Sequence, residues 1–211
     1  MLFRSDHSLV RFMDALSPLA RIDVHTHILP RALSTNAQKY LELRARADGD
    51  ARLDMFKDGR FFRTIEPNCF DVDVRLREMD ENHIAIQVLS TIPVLFNYSS
   101  NDAIGVVGLA RELNDHIASV CREHPTRFVG LGTVPLQFSD EAVVELRRCV
   151  EELGLKGVQI GTHVNEWALD HEQLERFWSE AERLDASVFV HPWDMPVGKQ
   201  YDTFWMPWLC G

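Results

Sequence analysis

Five stretches of the chain are dense in apolar and β-branched residues and close on small, polar or proline residues: 21–27 (RIDVHTH), 83–91 (HIAIQVLST), 127–135 (RFVGLGTVP), 157–162 (GVQIGT) and 186–192 (ASVFVHP). Each reads as a buried strand. Between them, residues 71–82, 101–125, 139–154 and 170–185 carry helical spacing. In the third of these, Ala142, Val143, Leu146, Cys149, Val150 and Leu153 form an i, i+3, i+4, i+7 apolar face, Ser139 stands at the predicted N-cap and Gly154 supplies the stop. Strands alternating with helices predict βαβ units around a parallel sheet, and an apolar run such as SVFV (187–190) predicts a strand covered on both faces. A doubly wound sheet and a (β/α) barrel both satisfy this pattern. Residues 31–70, rich in Arg, Asp and aromatics, form a long insertion after the first strand, and insertions of that size on a βα connection often carry function.

Composition narrows the functional classes. With 211 residues the chain is long enough for one sizeable core, and its 45% hydrophobic and 26% charged content is that of an ordinary globular domain. The 22 Lys and Arg against 32 Asp and Glu, a net charge of -10, argue against a broad phosphate-binding surface, so nucleic acid is not an expected partner. No run of 18 apolar residues is present, and residues 1–20 carry charges through their middle, which fits a short N-terminal extension better than a secretion signal; no membrane partner is expected. Cys69, Cys121, Cys149 and Cys210 are widely spaced with no C-x-x-C pair, and read as four buried thiols in a reducing cytosol.

The candidate chemistry lies at strand ends. Side chains two apart on a strand share a face, so His25 and His27 project together near the C-terminal end of the first strand. Two imidazoles there can share one metal ion, or can be two unremarkable histidines in a chain that holds nine. Position favours the metal, because the C-terminal ends of parallel strands are where α/β folds place their sites. His191 ends the fifth strand at the same lip and would complete three ligands of a zinc-type site. His163, just past the fourth strand, reads as a hydrogen-bonding or substrate-side group rather than a ligand. The fourth strand offers no Lys or Glu to bridge two metals, so a single ion is expected.

With their flanks, the blocks RIDVHTHILP, KDGRFFRTIEPNCFD, VRLREMD, IQVLSTIPVLFNY, RFVGLGTVPLQ, GVQIGTHVNEW and FVHPWDM…WMPWL resemble the 2-amino-3-carboxymuconate-6-semialdehyde decarboxylases, a metal-dependent family of the amidohydrolase superfamily. The resemblance runs from about residue 21 to the last residue. It implies an α/β, TIM-barrel-like (β/α)8 fold, here incomplete with about five of the eight βα units, over residues 21–211. It implies one zinc ion, with His25, His27 and His191 as ligands. Arg63 and Lys57 would pair with the carboxylates of a small dicarboxylate substrate, Arg in bidentate fashion, and Met195, Trp205 and Trp208 would line the pocket. The family's catalytic general-base His, its metal-binding Asp and an Arg lent by a neighbouring subunit of a homodimer are expected beyond Gly211, so the chain is expected to be the N-terminal portion of a cytosolic enzyme of tryptophan catabolism through kynurenine, one that diverts flux from quinolinate and NAD synthesis. A zinc hydrolase of a small lactone or amide, and an inactive short form that associates with full-length subunits, are the alternatives.

Overall fold

The structure is a computed structural model that describes residues 21–47 and 49–194. Its strands are β1 (Arg21–His27), β2 (Glu42–Ala45), β3 (Leu53–Lys57), β4 (Arg60–Ile65), β5 (Ile84–Ser90), β6 (Phe128–Gly130), β7 (Gly157–Gly161), β8 (His163–Val164), β9 (Trp167–Ala168) and β10 (Ser187–His191). The helices are α1 (Val72–Glu81), α2 (Ala103–Glu123), α3 (Ser139–Arg147) and α4 (Glu175–Arg183). All five expected strands are present. They pair in parallel in the order β1-β5-β6 and β7-β10, and a parallel bridge from Gly132 to Val158 joins the two groups into one five-stranded sheet. Within the third predicted strand only Phe128–Gly130 forms regular ladder. Residues after it leave the strand direction because Asn114 holds Thr133 from both sides, accepting from its N–H at 2.7 Å and donating to its carbonyl at 2.9 Å.

Local chemistry explains where the helices begin. The Asp71 carboxylate accepts from the N–H groups of Asp73 and Val74, and that of Asp102 accepts from Gly105, so both occupy the N-cap. At α3 the expectation fails. Phe138 holds the cap position without a side-chain bond, and the Ser139 hydroxyl instead donates to the Gln173 carbonyl at 2.6 Å, tying α3 to the turn before α4. A tertiary acceptor has won over the local N–H groups. The helix then widens into one π turn at Arg148–Glu152 before Gly154, whose φ of +72° ends it as predicted.

Two apolar cores result. One lies between the parallel sheet and its helices, around Leu89, Ile117, Phe128, Val158, Ile160 and Phe177. The other lies under the 31–70 insertion, around Leu41, Leu53, Met55, Phe70, Leu109 and Leu113. Helix α2 serves both, presenting Leu109 and Leu113 to the second core and Ile117 to the first. The insertion proves to be a three-stranded antiparallel sheet, β2-β3-β4. Its β3–β4 hairpin turns on Asp58 and Gly59, both with positive φ (52° and 72°), the geometry that Asp-Gly adopts in two-residue hairpins. That dipeptide, set between short mixed runs, was the signal available for the hairpin. Of the four thiols, Cys149 alone is fully buried among the described residues, while Cys69 and Cys121 are half-buried. Cys210, like residues 1–20, lies outside the described residues. No helix among the described residues is long and apolar enough to cross a membrane.

Candidate metal centre

Strand alternation places His25 and His27 on one face of β1, with ring centroids 5.0 Å apart. His191 comes from β10, which stands at the opposite end of the strand order. Its ring nevertheless lies 4.8 Å from that of His25 and 5.3 Å from that of His27. The sheet is therefore curled, so that its two outermost strands face each other across the concave side, as non-adjacent strands of a barrel do. One nitrogen from each of the three rings falls within 4.8 Å of the other two. A zinc ion with bonds near 2.1 Å holds its donors about 3.4 Å apart, so side-chain rotations of about an ångström would close the set.

The surroundings keep His27 and His191 neutral, which is the form that can donate a lone pair. Burial, followed by the neighbouring His191 and His25, brings the His27 pKa down to about 4. Burial also lowers that of His191, against the opposing pull of a hydrogen bond to the Pro192 carbonyl. That bond runs from Nδ1 at 2.7 Å, and because a carbonyl only accepts, Nδ1 carries the proton and Nε2 the lone pair. His27 Nδ1 lies 3.1 Å from the Ser90 hydroxyl. Beneath the site, buried Arg75 donates to the carbonyls of His27 and Asn68, both at 2.6 Å, and fixes the end of β1. The Phe189 ring sits 5.1 Å from His25 and walls one side. A cleft of about 360 Å³ opens beside β1, lined in part by Asp23, His25, His27, Asn68 and Arg75. Three converging imidazoles, two of them held neutral, form a donor set that suits one divalent ion.

The other expected site residues divide into three groups. Arg63 lies on β4 in the insertion hairpin, exposed, with its guanidinium 4.7 Å over the Phe62 ring. Lys57 ends β3 and donates to the Val94 carbonyl at 3.3 Å, lining a separate hollow with Asp58, Arg60, Phe61 and Phe62. Neither lines the cleft at the histidines. His163 sits on the short β8, its Nδ1 3.1 Å from the Thr162 hydroxyl, apart from the three-histidine cluster. Met195, Trp205 and Trp208 lie outside the described residues. The aromatic cluster that the structure does show is Phe96, Tyr98 and Trp193, with centroids 5.4 to 5.9 Å apart. Buried Tyr98 accepts from the Gly161 N–H at 3.1 Å, which anchors this cluster to the end of β7. Ser90, Arg75 and Phe189 carried no sequence signal, since each is an ordinary strand or helix residue whose role comes from a partner far along the chain.

Comparison with known proteins places these features in a family. The amidohydrolase family model matches residues 22–206. A 2-amino-3-carboxymuconate-6-semialdehyde decarboxylase of Dictyostelium discoideum is 45% identical over 90% of this chain and 54% of its own length. One from Caenorhabditis elegans is 33% identical over 93% of this chain and 62% of its own. The chain thus spans between half and two thirds of these relatives. Among solved structures, a dihydroxybenzoic acid decarboxylase from Polaromonas sp. JS666, with bound manganese and the inhibitor 2-nitroresorcinol, superposes with a TM-score of 0.60 at 25% identity, covering 91% of this chain and 55% of that one.

Proposed function

Because the chain belongs to the amidohydrolase family, we propose that it supplies the metal-binding and substrate-binding half of a non-oxidative decarboxylase acting on 2-amino-3-carboxymuconate 6-semialdehyde. The convergence of His25, His27 and His191 carries this reading. The three imidazoles that this chain contributes favour zinc over manganese, which prefers oxygen ligands. When bound, the ion would supply Lewis acidity and lower the pKa of a water it holds toward neutrality.

The chain's own residues have separable tasks. His191, with its proton on Nδ1, offers Nε2 to the cluster, and the low pKa of His27 keeps that ring uncharged through neutral pH. Arg63 and Lys57 have no acidic partner among the described residues, in a chain with ten more acids than bases (32 against 22). Two such cations on one hairpin suit a substrate with two carboxylates, one held in bidentate fashion by the guanidinium. The insertion would then bring its hairpin over the mouth of the sheet when substrate binds.

The test is an assay of the complete protein, with zinc supplied, following the loss of the semialdehyde's absorbance and the release of carbon dioxide, with 2,6-dihydroxybenzoate and a small lactone as competitors for the assignment. Turnover of the semialdehyde with release of carbon dioxide is expected, and Arg63→Ala should lower kcat/KM by about 10- to 150-fold, the range of a charge-assisted hydrogen bond. Turnover of dihydroxybenzoate alone would move the substrate, and hydrolysis of the lactone without decarboxylation would move the reaction.

A further inference from the structure

Behind His27 lies a chain of polar side chains that reaches across three strands. Ser90, on β5, is 3% exposed and Gln159, on β7, is 1% exposed, so each must find its hydrogen bonds inside the protein. The Gln159 amide nitrogen donates to the Thr91 carbonyl at 2.9 Å, which turns its oxygen toward Ser90. Around the Ser90 oxygen stand three partners: Gln159 Oε1 at 2.8 Å, the Thr26 carbonyl at 3.0 Å and His27 Nδ1 at 3.1 Å. The first two only accept, and a hydroxyl has one proton to give. Whichever of them takes that proton, none remains for His27. With that proton shared between the two oxygens, the His27 contact is a hydrogen bond only if Nδ1 carries its own hydrogen and donates it to Ser90, which leaves the lone pair on Nε2.

His191 reaches the same state through the adjacent Pro192 carbonyl. The Thr91 backbone also interacts with the His27 ring, but the partner at Nδ1 is a side chain of β5 backed by one of β7, and both can be changed without touching the histidine. We infer that Ser90 and Gln159 are positioning residues, a buried relay that locks His27 in its Nδ1–H tautomer and thereby sets the metal affinity of the three-histidine site. The inference deepens the metal-binding reading and rests on it. Partners that fix the ring and tautomer of a ligating histidine typically alter metal affinity 10- to 100-fold when removed.

Two readouts on the complete protein separate the inference from that reading. Zinc affinity is measured by competition with a chromophoric chelator, and the tautomer of His27 by ring nitrogen chemical shifts in the metal-free protein at about pH 8, where imidazoles are neutral. The wild type should show His27 in the Nδ1–H pattern. Ser90→Ala should lower zinc affinity about 10- to 100-fold and populate the Nε2–H pattern at His27 while leaving His191 unchanged, and Ser90→Thr, which keeps a hydroxyl, should restore both. Gln159→Met should have the smaller effect, because the Thr26 carbonyl still takes the Ser90 proton. Wild-type zinc affinity in Ser90→Ala, or a drop with the His27 tautomer unchanged, overturns the relay, and if Ser90→Ala does not fold, an Nε2–H pattern at His27 in the wild type overturns it. A wild type that takes up no zinc overturns the metal-binding reading, while the tautomer still decides whether the relay exists.

Discussion

Strands β7 and β10 run side by side in register, Val158 beside Val188 and Ile160 beside Val190, and both are built from apolar residues. Every residue of β7 is buried, yet none of β10 is. The same contrast separates Leu89 of β5, fully buried, from Val24 of the neighbouring β1, 58% exposed. Composition does not distinguish these strands; neighbours do. A central strand has a partner on each side and helices over its outer face, whereas β1 and β10 each lack a second partner among the described residues. All three histidines of the candidate site lie on those two outer strands. The central strands supply rigidity and the outer strands supply accessible ligands, so the geometry of the site depends on how firmly the first hold the second.

The sharpest test of that dependence is Gly157, where the central and outer strands join. Its φ of +146° and the Ser187 carbonyl oxygen 1.8 Å from where a Cβ would stand leave no room for any side chain. Gly157→Ala should cost on the order of 4 kcal/mol, through overpacking together with backbone strain, and should displace His191 with β10. Urea unfolding measures the first effect and zinc titration the second. Normal stability and normal zinc binding would show that the two strands are not coupled through this contact.

Acid should weaken the metal-free protein through His27. Its pKa of about 4 in the fold lies below the ordinary 6.5, so between those values the unfolded chain takes up a proton that the fold refuses. Stability is then complete above about pH 6.5 and declines as pH falls toward 4, by on the order of 2 to 3 kcal/mol for this one group. Unfolding in urea at several pH values, wild type against His27→Gln, isolates the contribution. Parallel pH curves for the two proteins would assign the acid sensitivity elsewhere.

An identical substitution on a central and an outer strand separates the two directly. Val158 is 0% exposed and Val24 58%. Val158→Ala should cost about 2 kcal/mol in buried area and residual cavity, while Val24→Ala should change stability by about 0.5 kcal/mol or less. Equal losses at the two positions would mean that residues outside the described ones cover the outer face of β1.

Sequence periodicity determined a great deal about this protein. Alternating apolar strands and amphipathic helices specified the parallel βα organisation, because side-chain direction in each element follows from local backbone geometry alone. The same rule put His25 and His27 on one face, and the strand end placed His191 at the same lip. The insertion sheet was less legible, since its strands are short and mixed and only Asp58-Gly59 marks its hairpin. Ser139 shows why local signals can mislead: the hydroxyl of a good capping residue went to a carbonyl supplied by another helix's approach. The tertiary structure alone decided the curl that brings β10 within reach of β1, the burial that holds His27 neutral, and the meeting of Ser90 with Gln159. Those features depend on distances between strands far apart in the chain, and such distances are set by how the helices and the core pack the sheet, a sum over many contacts that no short stretch of sequence contains.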